Sequence, residues 1–482
     1  MKISISYPPL RDERTPTLGQ NRQFQWFHNP SFIYPMVPAS AATLLNSQGH
    51  DVLWNDAIAM RWTPGRFKEF LLDERPDLLL FETKTPVVKR HWELVRDIKE
   101  YLPEMKVVIC GDHVTAMPEE TLLNSPVDFV LTGGDYDFML SNLVSHLVEG
   151  GPLEEGFWWM ERGVPVSTGE FSLRHDLDSL PEIDRNLTRW DLYGEHLFIK
   201  SPHTYIMAGR DCWYARCTFC SWTTLYPRFR ARSTDRVIEE IEHLSSRYGV
   251  REIFDDTGTF PVTGWLDRFC SGMIESGLGR RVTTSCNMRV GALSSDEYAM
   301  MKRAGFRLLK FGLESGNQET LDRLDKSTTV SAIVESCRLA KRAGLTVHLT
   351  TMVGYPWESK EQAQATLDLA KDMLRHGDAD MLQATIVIPY PGTPLFKMAE
   401  DNDWLITRDW DMFDMRGPVM RTPIPEEELG ALTRGLYSSF LSPEFAWRTL
   451  KSIRSVDDLR FISKAGRAVL GHLKDFRTGK RS

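Results

Sequence analysis

"GRDCWYARCTFCSW", residues 209–222, places Cys212, Cys217 and Cys220 within nine positions, with aromatic residues between and after them, in a 482-residue chain that has seven cysteines. Immediately before it, "TYIMAG" (204–209) is a short apolar run that predicts a strand, so the three thiols should sit in the loop leaving that strand's C-terminal end. Zinc would want a fourth Cys or His at matching spacing, and neither His203 nor Cys270 fits a usual ligand pattern. A redox pair of Cys217 and Cys220 would leave Cys212 unexplained. Three thiolates on a 4Fe-4S cubane leave one iron without a protein ligand, an open position where a substrate or cofactor can bind.

Downstream the alternation of strand and helix is regular. "TYIMAG", "REIFDD", "VTTSCNM", "RLLKFGLE", "TVHLTTMVG" and "MLQATIVIP" are six strand candidates between Tyr205 and Pro389, with helical segments between them. One of those, "STDRVIEEIEHLSSRYG", puts Val237, Ile238, Ile241 and Leu244 on one face, with a Ser or Thr cap before it and Gly249 after it. Six successive βα units predict a partial barrel over residues 201–398, with its site at the C-terminal mouth where the cysteines lie.

Upstream, "KISISYP", "DVLWNDA", "LLLFET", "KVVICGD" and "FVLTGG" predict an open parallel sheet with helices on both faces over residues 1–148, a doubly wound domain with its ligand edge at the strands' C-terminal ends. It contains no G-x-G-x-x-G and no P-loop, which argues against a nucleotide-dependent dehydrogenase or ATPase. Residues 149–200, with Trp158, Trp159, "ERGVP" and "DLDSLPEID", predict a hairpin followed by a linker, and residues 399–482 a helical extension.

Composition is that of a globular protein, and a net charge of −8 gives no case for nucleic acid. No apolar run is long enough to span a bilayer and no signal-peptide pattern opens the chain, so a cytoplasmic location is expected. In a reducing compartment the cysteines should bind metal or lie buried, and Cys110, Cys270, Cys286 and Cys337, each alone in sequence, are expected as buried spectators. From Ala446 to Ser482 ten Lys and Arg face three Asp, with Trp447, Leu450, Ile453, Leu459 and Ile462 at helical spacing. Such helices can pack on the body with a solvated face, receive an acidic partner, or lie on an anionic membrane as a peripheral contact.

The cysteine loop resembles that of the radical SAM superfamily, although four residues rather than the usual three separate Cys212 from Cys217. The resemblance implies a 4Fe-4S cluster on Cys212, Cys217 and Cys220, with S-adenosylmethionine on the open iron and Phe219 beside the adenine. "EIFDDTGTF" is similar to the family's segment for the methionine amino group, which implies that role for Asp255, Asp256 and Thr257. "SCNMR" offers Arg289 to the carboxylate or ribose, "FGLESG" offers Glu314 and Ser315 as polar contacts, and "MVGYPWES" and "PYPGTPLF" match later strand signatures, with Val387 against the adenine. Any one of these alone reads as an ordinary βα turn; their common order and placement carry the resemblance.

The first domain and the tail extend it. "GDHVTAMPEETLLNSPVDFVLTGGDYDFML" is similar to cobalamin-binding domains of the cobalamin-dependent subclass, which implies that Gly111, His113 and Gly134 line a cobalamin pocket, with the corrin between the domains. The tail is similar to the branch with anaerobic magnesium-protoporphyrin monomethyl ester cyclases and lipid-modifying enzymes. No D-x-H-x-x-G stands after the first strand, where the chain reads "YPPLRDERTP", so no protein histidine is expected on cobalt. The resemblance implies C-methylation of an unactivated carbon on a small-molecule or lipid-like substrate, or else oxidative cyclisation or rearrangement, or a domain that has lost its cobalamin. The reductant would be a flavodoxin or ferredoxin. No catalytic acid or base is singled out.

Overall fold

A computed structural model describes residues 1–10, 31–194, 197–438, 440, 443–453 and 455–475. Every strand expected from sequence in the two alternating regions is present. In the first region β1 (Lys2–Tyr7), β2 (Asp51–Asp56), β3 (Leu78–Glu82), β4 (Lys106–Cys110) and β5 (Phe129–Leu131) form a parallel sheet in the order β2-β1-β3-β4-β5. Side chains alternate across it because the strand period is two. Ile3, Ile5, Leu78, Leu80, Val108 and Leu131 face the helices Met36–Ser47 and Tyr136–Glu149, whereas Leu79, Phe81, Val107, Ile109 and Val130 face Pro64–Glu74 and Val88–Tyr101.

The hairpin expected in the linker is β6 (Phe157–Glu161) and β7 (Val164–Ser167), and it joins this sheet. β6 pairs antiparallel with β5, making a seven-stranded sheet whose edge is β7.

The barrel strands are β8 (His203–Ile206), β11 (Glu252–Asp255), β12 (Thr283–Met288), β13 (Phe306–Glu314), β14 (Thr346–Val353) and β15 (Met381–Ile386), all parallel and in sequence order. Between the first two lies a short ribbon, β9 (Gly209–Arg210) and β10 (Arg230–Ala231), that brackets the cysteine loop. The helix Thr234–Tyr248 starts where Ser233 accepts a bond from the Arg236 amide and stops at Gly249 in the left-handed region, φ 65°. Cys110, Cys270, Cys286 and Cys337 are buried, as expected. The edge strand β15 is covered by the helix Glu426–Ser438, whose Tyr437 hydroxyl accepts from the Ala384 amide at 3.2 Å.

The two sheets meet at a buried knot of charge. Arg210, in β9, donates to Asp135 at 3.0 Å and to Asp137 at 2.9 Å, both at the start of the first domain's helix Tyr136–Glu149. Arg230, in β10, donates to Asp135 at 2.7 Å. His175, from the connecting segment, lies 3.0 Å from Asp135 and 2.9 Å from Glu154. Tyr226 donates its hydroxyl to the Gly134 carbonyl at 2.8 Å.

Hydrogen bonds that the ring donates to Asp135 and then Glu154 raise His175 from its ordinary 6.5 to about 9. A folded value above the unfolded one stabilises the protein fully below pH 6.5 and is lost as pH rises through 9. Allowing for solvent at the part-exposed ring, about 2 kcal/mol of stability should disappear across that window. Urea unfolding at a series of pH values checks it: His175→Gln should flatten the decline, and an unchanged profile would remove His175 from the joint.

Candidate active site

Local hydrogen bonds fix the cysteine loop at both ends. At its start, the Ala208 amide donates to Asp255 at 2.8 Å and the Gly209 amide to Thr257 at 3.0 Å, while the Asp211 carboxylate accepts from the Gly258 amide. Cys212 bridges Thr259, its Sγ 3.2 Å from the threonine hydroxyl. Further on, the Thr218 amide donates to the Leu324 carbonyl at 3.1 Å and Arg216 pairs with Asp325 at 3.0 Å. The loop that follows β11 therefore holds the first half, and the turn after the short helix Gln318–Arg323 that follows β13 holds the second.

Cys212, Cys217 and Cys220 are part-exposed and line one cavity of about 320 Å³ at the C-terminal mouth of the barrel. Burial pushes the Cys217 thiol up and the Cys220 thiol up to about 12. Without a metal both stay protonated at neutral pH; a bound cation would displace the protons. Asp256, Arg289, Lys310, Glu314 and Lys326 line the same cavity. Glu314 has φ 59°, in the left-handed region, and its carboxylate lies 2.7 Å from Lys326 Nζ, both ends being about nine-tenths buried. Burial alone would lower Lys326, but Glu314 outweighs it and holds the ammonium above its ordinary value. Arg289 stacks on Tyr214 with 3.6 Å between guanidinium carbon and ring centre, and donates to the Lys326 and Ser327 carbonyls.

Of the residues singled out from sequence, the three cysteines, Phe219, Asp256, Arg289 and Glu314 are brought together at the cavity. Asp255, Thr257, Ser315 and Val387 are not among its lining residues. Asp255 and Thr257 are buried and tie down the cysteine loop, and burial raises Asp255 to about 7. Ser315 is buried against Thr366 at 3.2 Å and accepts from the Asn317 amide. Val387 lies in an apolar cluster with Leu324, Tyr355 and Leu395, against which Phe219 packs.

The three first-domain residues are likewise engaged by protein. Gly111 has φ 124°, and a Cβ there would strike the Thr83 carbonyl. His113 is wholly buried, Nδ1 3.1 Å from Thr85 and Nε2 3.3 Å from Glu120, with its ring edge-on to Trp410 at 5.2 Å. A Cβ on Gly134 would strike the Tyr226 ring. With both nitrogens occupied, His113 is a hydrogen-bonded packing residue. The segment "YPPLRDERTP" is described only as far as Leu10, and the rest lies outside the described residues.

Lys310, Lys326, Asn287, Thr350, Thr351, Gln383 and Thr385 were not foreseen. For Lys310, Thr350, Gln383 and Thr385 the signal was strand parity: Lys310, Gly312 and Glu314 alternate along β13, as do Thr350 and Met352 along β14 and Gln383 and Thr385 along β15, whereas Lys326, outside any strand, carried no such signal. Polar residues at alternate positions of otherwise apolar strands mark a wetted barrel interior.

Comparison with known proteins agrees with this geometry. Residues 206–370 match the Radical SAM superfamily. The chain is 28% identical to an uncharacterized methyltransferase of Pyrococcus horikoshii over 91% of this chain and 92% of that one. It is 27% identical to an anaerobic magnesium-protoporphyrin IX monomethyl ester cyclase of Cereibacter sphaeroides over 77% of this chain and 59% of the cyclase. Its fold is that of TsrM from Kitasatospora setae, a radical S-adenosylmethionine methyltransferase solved with cobalamin and a 4Fe-4S cluster, at TM-score 0.63, 16% identity and coverage of 84% and 76%. It is also that of the cobalamin-dependent S-adenosylmethionine radical enzyme OxsB, at TM-score 0.69, 13% identity and coverage of 98% and 71%. The chain thus carries a radical SAM domain over residues 206–370 and is an enzyme.

Removing one partner of a buried ion pair leaves the other charge uncompensated. Lys326→Met should therefore cost about 3–5 kcal/mol of stability, and the Glu314→Gln/Lys326→Met double variant clearly less. Urea unfolding of the cycle measures the coupling; a double variant as unstable as Lys326→Met would show that the pair is not the source.

Proposed function

We propose that Cys212, Cys217 and Cys220 hold a 4Fe-4S cluster, that S-adenosylmethionine binds in the adjoining cavity, and that with cobalamin the enzyme methylates an unactivated carbon. The observation that carries this reading is the convergence of three thiols, three carboxylates and three cations on one cavity at the mouth of a radical SAM barrel. Among the described residues no three His, Cys, Asp or Glu side chains are grouped to chelate a single ion. The cavity lining holds no fourth Cys and no His, which suits a cubane better than zinc.

When bound, the cluster and S-adenosylmethionine would supply the radical chemistry that removes hydrogen from carbon. The chain's own residues bind and orient. Asp256 and Glu314 offer carboxylates to an ammonium, and Arg289 and Lys326 offer cations to a carboxylate, which complements a zwitterionic amino acid. Phe219 offers a ring face to adenine, while Phe254, Met288, Phe311 and Met352 line the rest with apolar surface that excludes water.

Cobalamin is supported by fold likeness and by the similarity of residues 111–140 to cobalamin-binding segments. The local fit is poor in this arrangement. Trp222 stacks on Tyr226 at 5.6 Å, Lys84 lies 5.6 Å from the Trp222 ring, and Tyr226 fills the space beside Gly134. No step is therefore assigned to groups in that seam. Oxidative cyclisation is the second reading, supported by the cyclase relatives.

Anaerobically purified protein should carry one cluster, and the Cys212, Cys217 and Cys220 triple alanine variant none, by iron and sulfide analysis. Wild-type iron in that variant would end the assignment. With its substrate and a low-potential reductant of the flavodoxin or ferredoxin kind, the enzyme should form S-adenosylhomocysteine and 5′-deoxyadenosine in near-equal amounts. Deoxyadenosine without S-adenosylhomocysteine and without a methyl mass gain would replace methylation by cyclisation. Protein that takes up no cobalamin would instead indicate a first domain that keeps the fold alone.

A further inference from the structure

We propose that the outward faces of the last two helices, Pro443–Ser452 and Val456–Asp475, dock on an anionic lipid surface. Five of the ten large apolar side chains that stand exposed among the described residues lie here: Trp447 at 62%, Leu450 at 61%, Val456 at 63%, Leu459 at 53% and Leu470 at 56%. Trp447 and Leu450 are one helical turn apart. At 3.6 residues per turn Val456, Leu459 and Leu470 fall within about 60° of one another, and the exposed Arg460, Lys464 and Arg467 occupy roughly the next 60°. Lys451 Nζ lies 4.8 Å from the centre of the Trp447 indole.

The fold does not need these faces. The helices hold to the body by their other sides: Arg448 donates to the Ala379 carbonyl at 3.2 Å, and Phe445 packs edge-on to Phe440 at 5.1 Å. The acids nearby are turned to local work. Asp458 accepts from the Ser455 amide at 2.8 Å, and Asp457 faces Arg460 at 3.4 Å and Arg251 at 3.9 Å.

Charge complementarity selects the occupant. Residues 446–482 carry ten Lys and Arg against three Asp in a chain of net charge −8, so an anionic surface attracts this end and repels the body, which also sets orientation. Apolar side chains beside long basic ones, with a Trp among them, suit the boundary between headgroups and acyl chains, where basic stems lie along apolar surface and their heads stay wet. A second copy of the chain would bring two basic faces together. No described helix is long and apolar enough to cross a membrane, so the contact lies in the plane of the surface.

Flotation of the full-length protein, purified anaerobically, with vesicles of phosphatidylcholine containing one-third phosphatidylglycerol tests this against phosphatidylcholine alone. Binding should be at least about 10-fold tighter to the anionic vesicles and weaken as salt is raised. Arg460→Glu/Lys464→Glu/Arg467→Glu should weaken it at least about 100-fold, at roughly fivefold for each basic residue lost. Trp447→Ser/Leu450→Ser should weaken it at least about 10-fold by removing the apolar anchor. All these positions are exposed, so unchanged melting and circular dichroism confirm folded variants. Equal binding to both vesicles, binding to neither, or retention by both variants would overturn the proposal. So would a dimer dissociated by Trp447→Ser, which would assign the face to a second copy, or capture by an acidic protein with no vesicle binding.

Discussion

The arrangement of the molecule depends on one buried knot: Arg210 between Asp135 and Asp137, closed by Arg230 and His175. Taking two carboxylates and a guanidinium out of water is costly unless each charge is met, and here Asp135 alone meets two guanidiniums and an imidazole. Such a knot has few arrangements that satisfy every member, so it fixes orientation as well as contact. Arg210 stands two residues before Cys212. The charge that joins the domains thus also sets where the cysteine loop begins.

The loop's hydrogen bonds carry that constraint into the site. Asp255 and Thr257 hold the amides of Ala208 and Gly209, so the strand that precedes the loop and the strand beside it are locked in register. Asp256, between them in sequence, faces the cavity. One short acidic segment therefore both braces the loop and supplies the site, with the division of roles set by the alternation of side chains along extended backbone.

This explains which parts were legible in the sequence. Strands and helix caps depend on local pattern, and the run of Val237, Ile241 and Leu244 between Ser233 and Gly249 could be placed from spacing alone. The cysteines were legible because three thiols in nine positions have few other uses. The motif around Asp255–Thr257 identified the right turn but not which side chains point inward, since resemblance carries over a segment whereas parity decides each residue. Lys326 could not have been found that way. It reaches the cavity from a turn, and only the fold brings it to Glu314. The hairpin β6–β7 was visible as a hairpin, but its pairing with β5 is a long-range choice that local sequence does not encode.

The segment after Cys220 links the two halves of the proposed chemistry. Trp222 and Tyr226, which fill the seam beside Gly134 and Lys84, follow Cys220 by two and six residues, at the start and the C-cap of one short helix. A corrin lying in that seam has to displace them, and a helix of four residues cannot absorb such a shift without moving its neighbours. Cys220 stands two residues before that helix. A group that filled the seam would therefore bear on the cysteine loop from one end, with the knot at Arg210 holding the other.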